Sequence, residues 1–382
     1  MLHGKVVLPG FVNCHTHAGM SLFRGCADDV DLMEWKNVYI KPAEKKMTKE
    51  DMYVASMLSF IEMIKTGTTT FNDMYFMEEE AAKAAEKIGI RGMLAVQISD
   101  MNEGADAKIK EAETLYTNWN DKADGRIKVC VGLDSPDTCS PDTMKKAVEL
   151  AKKLNVPIHM QYLETKDEIN KIRENYSMSV VDYLKENGIF DVKTILAHGV
   201  WADEYDLSEL QFHDTSIVNS PISNCKLGSG IGDMKFLLEG GVNIALGTDD
   251  IASSNTLDMF EDLKSCAYSQ KVLYKQATAI SAKKVLEIAT IKGAKALGLQ
   301  KDIGTIEIGK KADLIIVDLN RAHLAPLHNV NSALVYSANG NDVESVIIDG
   351  KLVMENRKIL TVDEGEIVEQ ARMAARRLFA EQ

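Results

Sequence analysis

The sequence lacks the features that mark membrane, secreted and nucleic-acid-binding proteins. It has no run of about 18 apolar residues that could span a bilayer, and its first residues lack the apolar core of a signal peptide. Its six cysteines include no CxxC pair and do not suggest a disulfide framework in a chain of 382 residues. The net charge of −13 argues against a nucleic-acid backbone or an anionic membrane as partner. We therefore expect a cytoplasmic protein that binds neither nucleic acid nor membranes.

Apolar, β-branched segments alternate with segments of helical periodicity through most of the chain. Helical segments such as 49–65, 78–87, 140–154 and 231–239 separate the apolar ones. The candidate strands cover residues 6–12, 68–73, 91–97, 128–133, 157–162, 194–198, 216–219 and 242–247. This alternation favours a parallel (β/α)₈ barrel over an open sheet.

The pattern changes after residue 303. A buried strand follows a turn near Gly309, and a later hairpin carries an Asp349-Gly350 turn. Both features indicate a small β-domain. We predict an α/β fold of the TIM-barrel type, with the barrel over residues 9–303, the small β-domain from residues 1–8 and 304–363, and a C-terminal helix over residues 364–382.

Two histidines, His15 and His17, end the first apolar segment. Alternate residues of a strand face the same side, so both imidazoles point the same way. At the carboxyl end of a barrel strand that side is the interior, where catalytic groups gather, and two imidazoles so placed can bind one divalent metal. The pair alone is a weak signal, because such histidines more often make ordinary hydrogen bonds at the surface or in the core.

Three other candidate strands end in residues that suit the same kind of site. His198 ends one strand, Asp249 follows a second and Glu164 follows a third. Each residue taken alone is more often structural. Because the carboxyl ends of barrel strands meet at one rim, we predict that these three side chains converge with His15 and His17 at the mouth of the barrel.

Longer strings identify a family resemblance that covers nearly the whole chain. The strings are PGFVNCHTHAGMSLFRG at residues 9–25, KTGTTTFNDMYF at 65–76, NVPIHMQYLETKDE at 155–168, SPISNCKLGSGI at 220–231 and LGTDDIASSNTLDMFED at 246–262. With these strings the chain resembles the amidohydrolase superfamily, in the branch of S-adenosylhomocysteine/methylthioadenosine deaminases and triazine chlorohydrolases. The resemblance implies hydrolytic deamination of a purine-like or related amino-heterocycle by water that one divalent metal activates, with zinc expected before iron or manganese.

The resemblance also implies roles for individual residues. His15, His17 and Asp249 correspond to metal ligands, and Asp249 also helps to activate the water. Glu164 corresponds to the carboxylate that passes a proton to the ring nitrogen of the substrate. His198 corresponds to the histidine that polarises the water.

One metal-ligand position departs from the family pattern. The family has a histidine three residues before the catalytic glutamate, where this chain has Gln161. A glutamine carbonyl oxygen can bind a metal, but it is a poorer ligand than imidazole for zinc-like ions. His159 faces the same way but lies deeper, about 6–7 Å along the strand. We do not expect it to replace the missing ligand.

Four further residues are candidates for substrate binding. Asp134 stands where the family has a histidine facing the nucleobase, Trp201 where relatives often carry a histidine, and Asp250 where they carry a glycine. The two aspartates would accept hydrogen bonds from an amino-rich or cationic ligand. Glu44 corresponds to a glutamate that binds ribose hydroxyls, although a solvated glutamate among lysines is a competing interpretation.

These departures leave three functions open. The enzyme has a changed amino-heterocycle as substrate, or it removes another leaving group such as chloride from a nitrogen heterocycle, or it is a binding protein that has lost catalysis. The retained catalytic set favours a deaminase. The resemblance also suggests a homo-oligomer. Because only a short segment precedes Pro9, we expect an incomplete β-sandwich with exposed strand edges.

Overall fold

The chain enters the fold through two short strands rather than one. β1 (Lys5–Pro9) belongs to an antiparallel sheet, and β2 (Phe11–Thr16) is the first strand of a parallel barrel. The prediction of a single strand over residues 6–12 is therefore wrong, because two strands of different sheets share these residues. Gly10 marks the change of sheet, because its N–H donates to the carbonyl of Asp313 at 2.9 Å and a Cβ there would lie 2.1 Å from Oγ1 of Thr69.

The barrel has eight parallel strand positions, which we call staves, and the predicted TIM-barrel fold class is confirmed. This computed structural model describes residues 4–30, 34–100 and 104–380, so the ends of the predicted terminal segments, 1–3 and 381–382, lie outside the described residues. One stave is interrupted at Cys130. After β2 the staves are β3 (Thr68–Tyr75), β4 (Arg91–Ile98), β5 (Ile127–Val129) with β6 (Val131–Leu133), β7 (Ile158–Tyr162), β8 (Thr194–His198), β9 (Thr215–Asn219) and β10 (Asn243–Leu246).

The barrel closes where the chain leaves β10 and meets β2. Asn13 and Thr248 exchange two hydrogen bonds there, of 2.7 Å between the side chains and 3.0 Å from the Thr248 N–H to the Asn13 carbonyl oxygen Oδ1. The N–H of Asp249 donates to the main-chain carbonyl of His15 at 3.0 Å. Gly247 permits this approach, since a Cβ at that position would lie 2.7 Å from the His15 nitrogen.

Helices cover the outside of the staves, and the predicted helices at 49–65, 78–87 and 140–154 are confirmed to within a residue or so at each end. The predicted helix over 231–239 begins later. The helices are Lys41–Glu44, Lys49–Lys65, Glu78–Ile88, Ala105–Trp119, Lys122–Gly125, Pro141–Leu154, Lys166–Tyr176, Val180–Glu186, Glu204–Leu210, Pro221–Lys226, Met234–Glu239, Ile251–Ser254, Met259–Tyr274, Ala282–Ala289, Ile291–Ala296, Val330–Ser332 and Glu364–Leu378. None of the described helices is both long and apolar enough to cross a membrane.

Helix starts follow the capping chemistry of the sequence. Ser140 accepts a hydrogen bond from the N–H of Thr143, and Pro141 occupies the first helical position. Thr48 and Asp51 form a reciprocal capping box at the start of Lys49–Lys65. Each such cap satisfies backbone donors that the helix itself leaves unpaired.

The small β-domain is one antiparallel sheet in the part of the chain that the structure describes. Its strands follow the order β1, β11 (Leu314–Asp318), β12 (Val343–Ile348), β13 (Lys351–Glu355) and β14 (Lys358–Ile359). One face, which includes Ile315 and Val346, is buried in the same hydrophobic cluster as the barrel helices. No second sheet faces it among the described residues.

A buried ion pair joins this sheet to the barrel. The guanidinium of Arg91, at the start of β4, donates to both carboxylate oxygens of Asp313 at 2.7 and 3.1 Å. Only 7% of the Arg91 side chain and 2% of the Asp313 side chain are exposed. Asp313 also accepts a hydrogen bond of 2.7 Å from the N–H of Asp349. The pair therefore fixes the start of β11 against the barrel.

We expect the Arg91→Ala substitution to lower the free energy of unfolding by about 3–5 kcal/mol, because it leaves the Asp313 carboxylate buried and unpaired. Urea unfolding followed by circular dichroism measures the loss. The control is Lys351→Ala, which removes an ion pair with Asp124 whose two side chains are 67% and 70% exposed. The exposed pair should matter little. Equal losses in the two variants would contradict the bridging role.

Candidate active site

Two imidazoles and a carboxylate meet at the seam of the barrel. His15 lies in β2 and His17 follows it, and their ring centroids are 4.9 Å apart. The Nε2 atoms of the two rings lie 3.4 and 3.5 Å from Oδ1 of Asp249. All three side chains are buried. The seam contacts of β2 with the residues after β10 bring them together.

His198 joins the cluster from a different strand. It ends β8, and its ring centroid lies 5.2 Å from that of His15. Its Nδ1 lies 2.9 Å from Oδ1 of Asn224. Because an amide oxygen accepts hydrogen bonds, Nδ1 of His198 carries a proton, and in the neutral ring Nε2 carries a lone pair. The structure thus places together the four residues predicted to converge from three separate strand ends.

The donor atoms of this cluster fit a divalent cation. One ligand atom each from His15, His198 and Asp249 lies within 4.8 Å of the others. The Nε2 atoms of His15 and His198 are buried and have no hydrogen-bond partner among the described residues. Unpartnered buried nitrogens are costly, and imidazole with carboxylate is a donor set that zinc accepts. These residues would hold such an ion, with His17 at the edge of the group.

Gln161 faces this cluster from β7. Its side-chain nitrogen lies 3.5 Å from Nε2 of His17. The assignment of amide oxygen and nitrogen follows from the hydrogen-bond network, and a rotation of the amide group would turn Oε1 towards His17 instead. The position that departs from the family pattern therefore lies beside the predicted metal ligand His17.

Glu164 stands beside the cluster on the turn after β7. It is half-buried, and the hydroxyl of Ser229 donates to its Oε1 at 3.4 Å. Glu168 stabilises this turn through two hydrogen bonds. Its two carboxyl oxygens accept the N–H groups of Leu163 at 2.8 Å and of Glu164 at 3.3 Å. The sequence reasoning missed Glu168. The spacing of Thr165 and Glu168, typical of a capping box, was the available signal.

The backbone is strained at three strand exits of this rim. Leu163 has φ 49°, His198 has φ 74° and Asp249 has φ 62°. Non-glycine residues in this left-handed region cost of order 1–3 kcal/mol each when the surrounding structure imposes the conformation. All three residues carry or adjoin a side chain of the cluster.

Charge and burial set the protonation of the cluster. Burial lowers the pKa of His15 to about 4, so this imidazole is neutral at pH 7. Burial opposes ionisation of Asp249, but its contacts with His15, His198 and His17 outweigh burial and hold the pKa of Asp249 well below its ordinary value. Burial also lowers the pKa of His198, but the charges of Glu164 and Asp249 more than offset this and raise it. A neutral His15 beside an ionised Asp249 is the state that binds a metal.

The predicted substrate-binding residues lie around the same rim. Asp134, after β6, accepts hydrogen bonds from Gln97 at 2.6 Å and from Thr138 at 3.0 Å. Trp201, after β8, is 36% exposed, and Nζ of Lys166 lies 4.4 Å from the centroid of its ring.

Glu44 and Asp250 lie on the side of the site nearer His17. Glu44 accepts the Tyr75 hydroxyl at 2.5 Å, and the ring of Tyr75 lies 5.8 Å from that of His17. Burial raises the pKa of Glu44. Asp250 caps the helix Ile251–Ser254 by accepting two backbone N–H groups, at 2.8 and 2.7 Å. Burial and the charge of Asp249 raise the pKa of Asp250 to about 6.

Comparison with known proteins identifies the class. The amidohydrolase family model matches residues 6–353, so the chain belongs to the amidohydrolase family, and the resemblance predicted from the sequence is confirmed. The chain is 46% identical over 377 residues to 5-methylthioadenosine/S-adenosylhomocysteine deaminase of Caldanaerobacter subterraneus subsp. tengcongensis, covering 98% of this chain and 87% of that protein. It is 44% identical over 379 residues to 5'-deoxyadenosine deaminase of Methanosarcina acetivorans, covering 99% and 87%.

A solved structure agrees with these relatives. The zinc-bound adenosine deaminase from Xanthomonas campestris superposes with a TM-score of 0.96 at 33% identity, covering 99% of this chain and 87% of that chain. The similarity therefore spans both the barrel and the small sheet.

Glu168 gives the first prediction from the site. Burial raises the pKa of its carboxyl from 4.5 to about 8, so between those two pH values the folded chain binds a proton that the unfolded chain has lost. Stability then falls as pH rises through that window and levels off above it. We expect the difference in unfolding free energy between the wild type and Glu168→Gln to decrease from about pH 4.5 to 8, measured by urea unfolding. The exposed Glu174 of the same helix supplies the control, Glu174→Gln, for which a flat difference is expected; a flat difference for Glu168→Gln too would contradict the prediction.

The position of Gln161 gives the second. We expect Gln161→His to tighten zinc binding by about tenfold, which corresponds to a gain of about 1.4 kcal/mol. The reason is that imidazole is a better zinc ligand than an amide oxygen. Competition with a chromogenic chelator measures the dissociation constant. Gln211→His, at an exposed glutamine, is the matched control and should leave it unchanged. An unaltered constant for Gln161→His would show that this side chain does not reach the ion.

Proposed function

We propose that this protein is a zinc-dependent aminohydrolase that removes the amino group from the adenine ring of a nucleoside altered at its 5′ position. The observation that carries the proposal is the convergence of the unpartnered Nε2 atoms of His15 and His198 with the Asp249 carboxylate, beside the carboxyl of Glu164. The substrate class is supported by the relatives at 46% and 44% identity, whose names specify methylthioadenosine, S-adenosylhomocysteine and deoxyadenosine.

The residues proposed to hold the ion are His15, His17, Gln161 and Asp249. A divalent metal bound there would lower the pKa of a water molecule towards neutrality and so supply a nucleophile at pH 7. Because Nδ1 of His198 donates to Asn224, Nε2 of the neutral ring would accept a hydrogen bond from that water. Its position orients the water towards the amino-bearing ring carbon.

Two carboxyl groups account for the protons. The ionised carboxylate of Asp249 accepts the first proton of the water, while Glu164 delivers a proton to the ring nitrogen next to the carbon under attack. As the carbon–oxygen bond forms and the carbon–nitrogen bond breaks, Asp249 passes its proton to the departing ammonia. The proton of the added hydroxyl returns to Glu164, so both groups end as they began. Proton transfer by a positioned group of this kind contributes typically about 10²–10⁴-fold.

The rim residues are proposed to bind the nucleoside. Glu44, next to Tyr75, would accept the ribose hydroxyls. Trp201 offers an aromatic face at the mouth of the site. Asp134, with Gln97 held against it, replaces a histidine of the family on the nucleobase side. Asp250 caps a helix through one oxygen and would offer the other to the substrate.

Ammonia release tests this function. We expect zinc-loaded protein to deaminate 5'-methylthioadenosine, S-adenosylhomocysteine or 5'-deoxyadenosine in preference to guanine, cytosine and pterins. Glu164→Gln should lower kcat by about 10²–10⁴-fold with zinc content unchanged, because only the proton donor is lost. Glu186→Gln, at an exposed glutamate, is the matched control.

Two outcomes would contradict the proposal. One is the absence of ammonia from every adenine nucleoside tested with zinc, iron or manganese. The other is a metal content below about a tenth of an equivalent in protein prepared without chelators, with no rescue by added metal; a site with this donor set should retain its ion.

A further inference from the structure

A fourth buried histidine lies behind the cluster, where the proposed reaction does not use it. His159 is fully buried in β7, and its Nε2 lies 2.9 Å from Nδ1 of His15. The other nitrogen of its ring, Nδ1, lies 3.1 Å from the main-chain carbonyl of Ile195. Ile195 is the residue paired with His159 in the neighbouring strand β8. The three groups therefore form a chain that runs from the backbone to His15.

The direction of the hydrogen bonds in this chain is fixed by the main-chain carbonyl of Ile195. A main-chain carbonyl only accepts hydrogen bonds, so Nδ1 of His159 carries a proton. His159 is fully buried, and no carboxylate is among its hydrogen-bond partners in the described residues, so its ring is neutral and its Nε2 carries a lone pair. Two ring nitrogens 2.9 Å apart share one proton, and that proton must sit on Nδ1 of His15. Nε2 of His15 is then left with its lone pair directed at the cluster.

The other two histidines of the cluster are arranged alike by different acceptors. Nδ1 of His17 contacts the main-chain carbonyl of Met74, and Nδ1 of His198 contacts Oδ1 of Asn224. All three rings thus present Nε2 to the centre. His15 alone among them depends on a side chain that has two tautomers of its own.

We propose that His159 is a positioning residue that sets the tautomer of His15 and so keeps its Nε2 available to a divalent ion. This inference rests on the proposed function only in assuming that the site binds such an ion. Because Nε2 of His159 already accepts the His15 proton, His159 is not itself a ligand. Partners that orient a metal-binding histidine in this way typically contribute 10–100-fold to metal affinity.

The tautomer can be read directly in the metal-free protein. Nitrogen-15 NMR of histidine-labelled, chelator-treated protein should show His15 protonated at Nδ1 and unprotonated at Nε2. A proton on Nε2 of His15 would overturn the proposal, whatever any variant does. This measurement uses the wild-type chain and does not depend on catalysis.

Two substitutions separate the hydrogen bond from simple packing. His159→Phe fills the space without an acceptor and should weaken zinc binding by about 10–100-fold, measured by chelator competition. His159→Gln carries an oxygen near the position of Nε2 and should restore most of the affinity and the His15 tautomer. His328→Phe, at an exposed histidine, is the control.

The outcomes discriminate clearly. Wild-type affinity in a folded His159→Phe protein, or an affinity for His159→Gln as low as that of His159→Phe, would overturn the proposal. Failure of the proposed deamination alongside the expected zinc affinities would overturn the proposed function and leave the role of His159 standing.

Discussion

The seam between β10 and β2 is the contact on which the site depends. The reciprocal hydrogen bonds of Asn13 and Thr248, and the absence of a side chain at Gly247, bring the first and last staves together. Without this closure, His15 and His17 would lie at one edge of an open sheet and Asp249 at the other. Closure of the barrel thus converts residues from the two ends of the sheet into neighbours whose ligand atoms are 3.4–3.5 Å apart. The metal site is a consequence of the seam.

The sequence patterns predicted the strands and the residues at their ends, because both are local features. Alternation with helices identified the staves, and polar residues after apolar runs identified the rim. The same reasoning failed at residues 6–12, because β1 and β2 are both apolar and only Gly10 separates the two sheets. It also missed Glu168, whose contacts cross a turn, and Asn224, which reaches His198 from another loop. Hydrogen-bond partners of this kind depend on where loops meet, which periodicity does not encode.

Two departures from the family pattern, Gln161 and Asp134, lie next to each other. Gln161 replaces a ligand, and Asp134 replaces a histidine on the nucleobase side, yet each is held in place by the structure: the backbone N–H of Gln161 donates to the Asp134 carbonyl at 3.1 Å, and Gln97 binds the Asp134 carboxylate. In each of the three histidines of the cluster, Nδ1 is in a hydrogen bond and Nε2 is directed towards the centre of the cluster. Buried nitrogens without partners destabilise the fold. A site that no longer bound a metal would therefore gain stability by losing that orientation. The retained arrangement favours a working metal site over a relic.

Strain at the rim supports the same conclusion. Left-handed backbone at Leu163, His198 and Asp249 costs free energy that glycine would avoid. Glycine at any of these positions would also remove a side chain: the imidazole, the carboxylate, or the buried leucine that precedes Glu164. The fold instead offsets the strain locally, with the Glu168 carboxylate bridging the turn at Leu163 and with Ser223 holding the second oxygen of Asp249 at 2.6 Å. Stability has been given up at the points where strands end and the proposed chemistry begins, and supporting hydrogen bonds lie at two of those points.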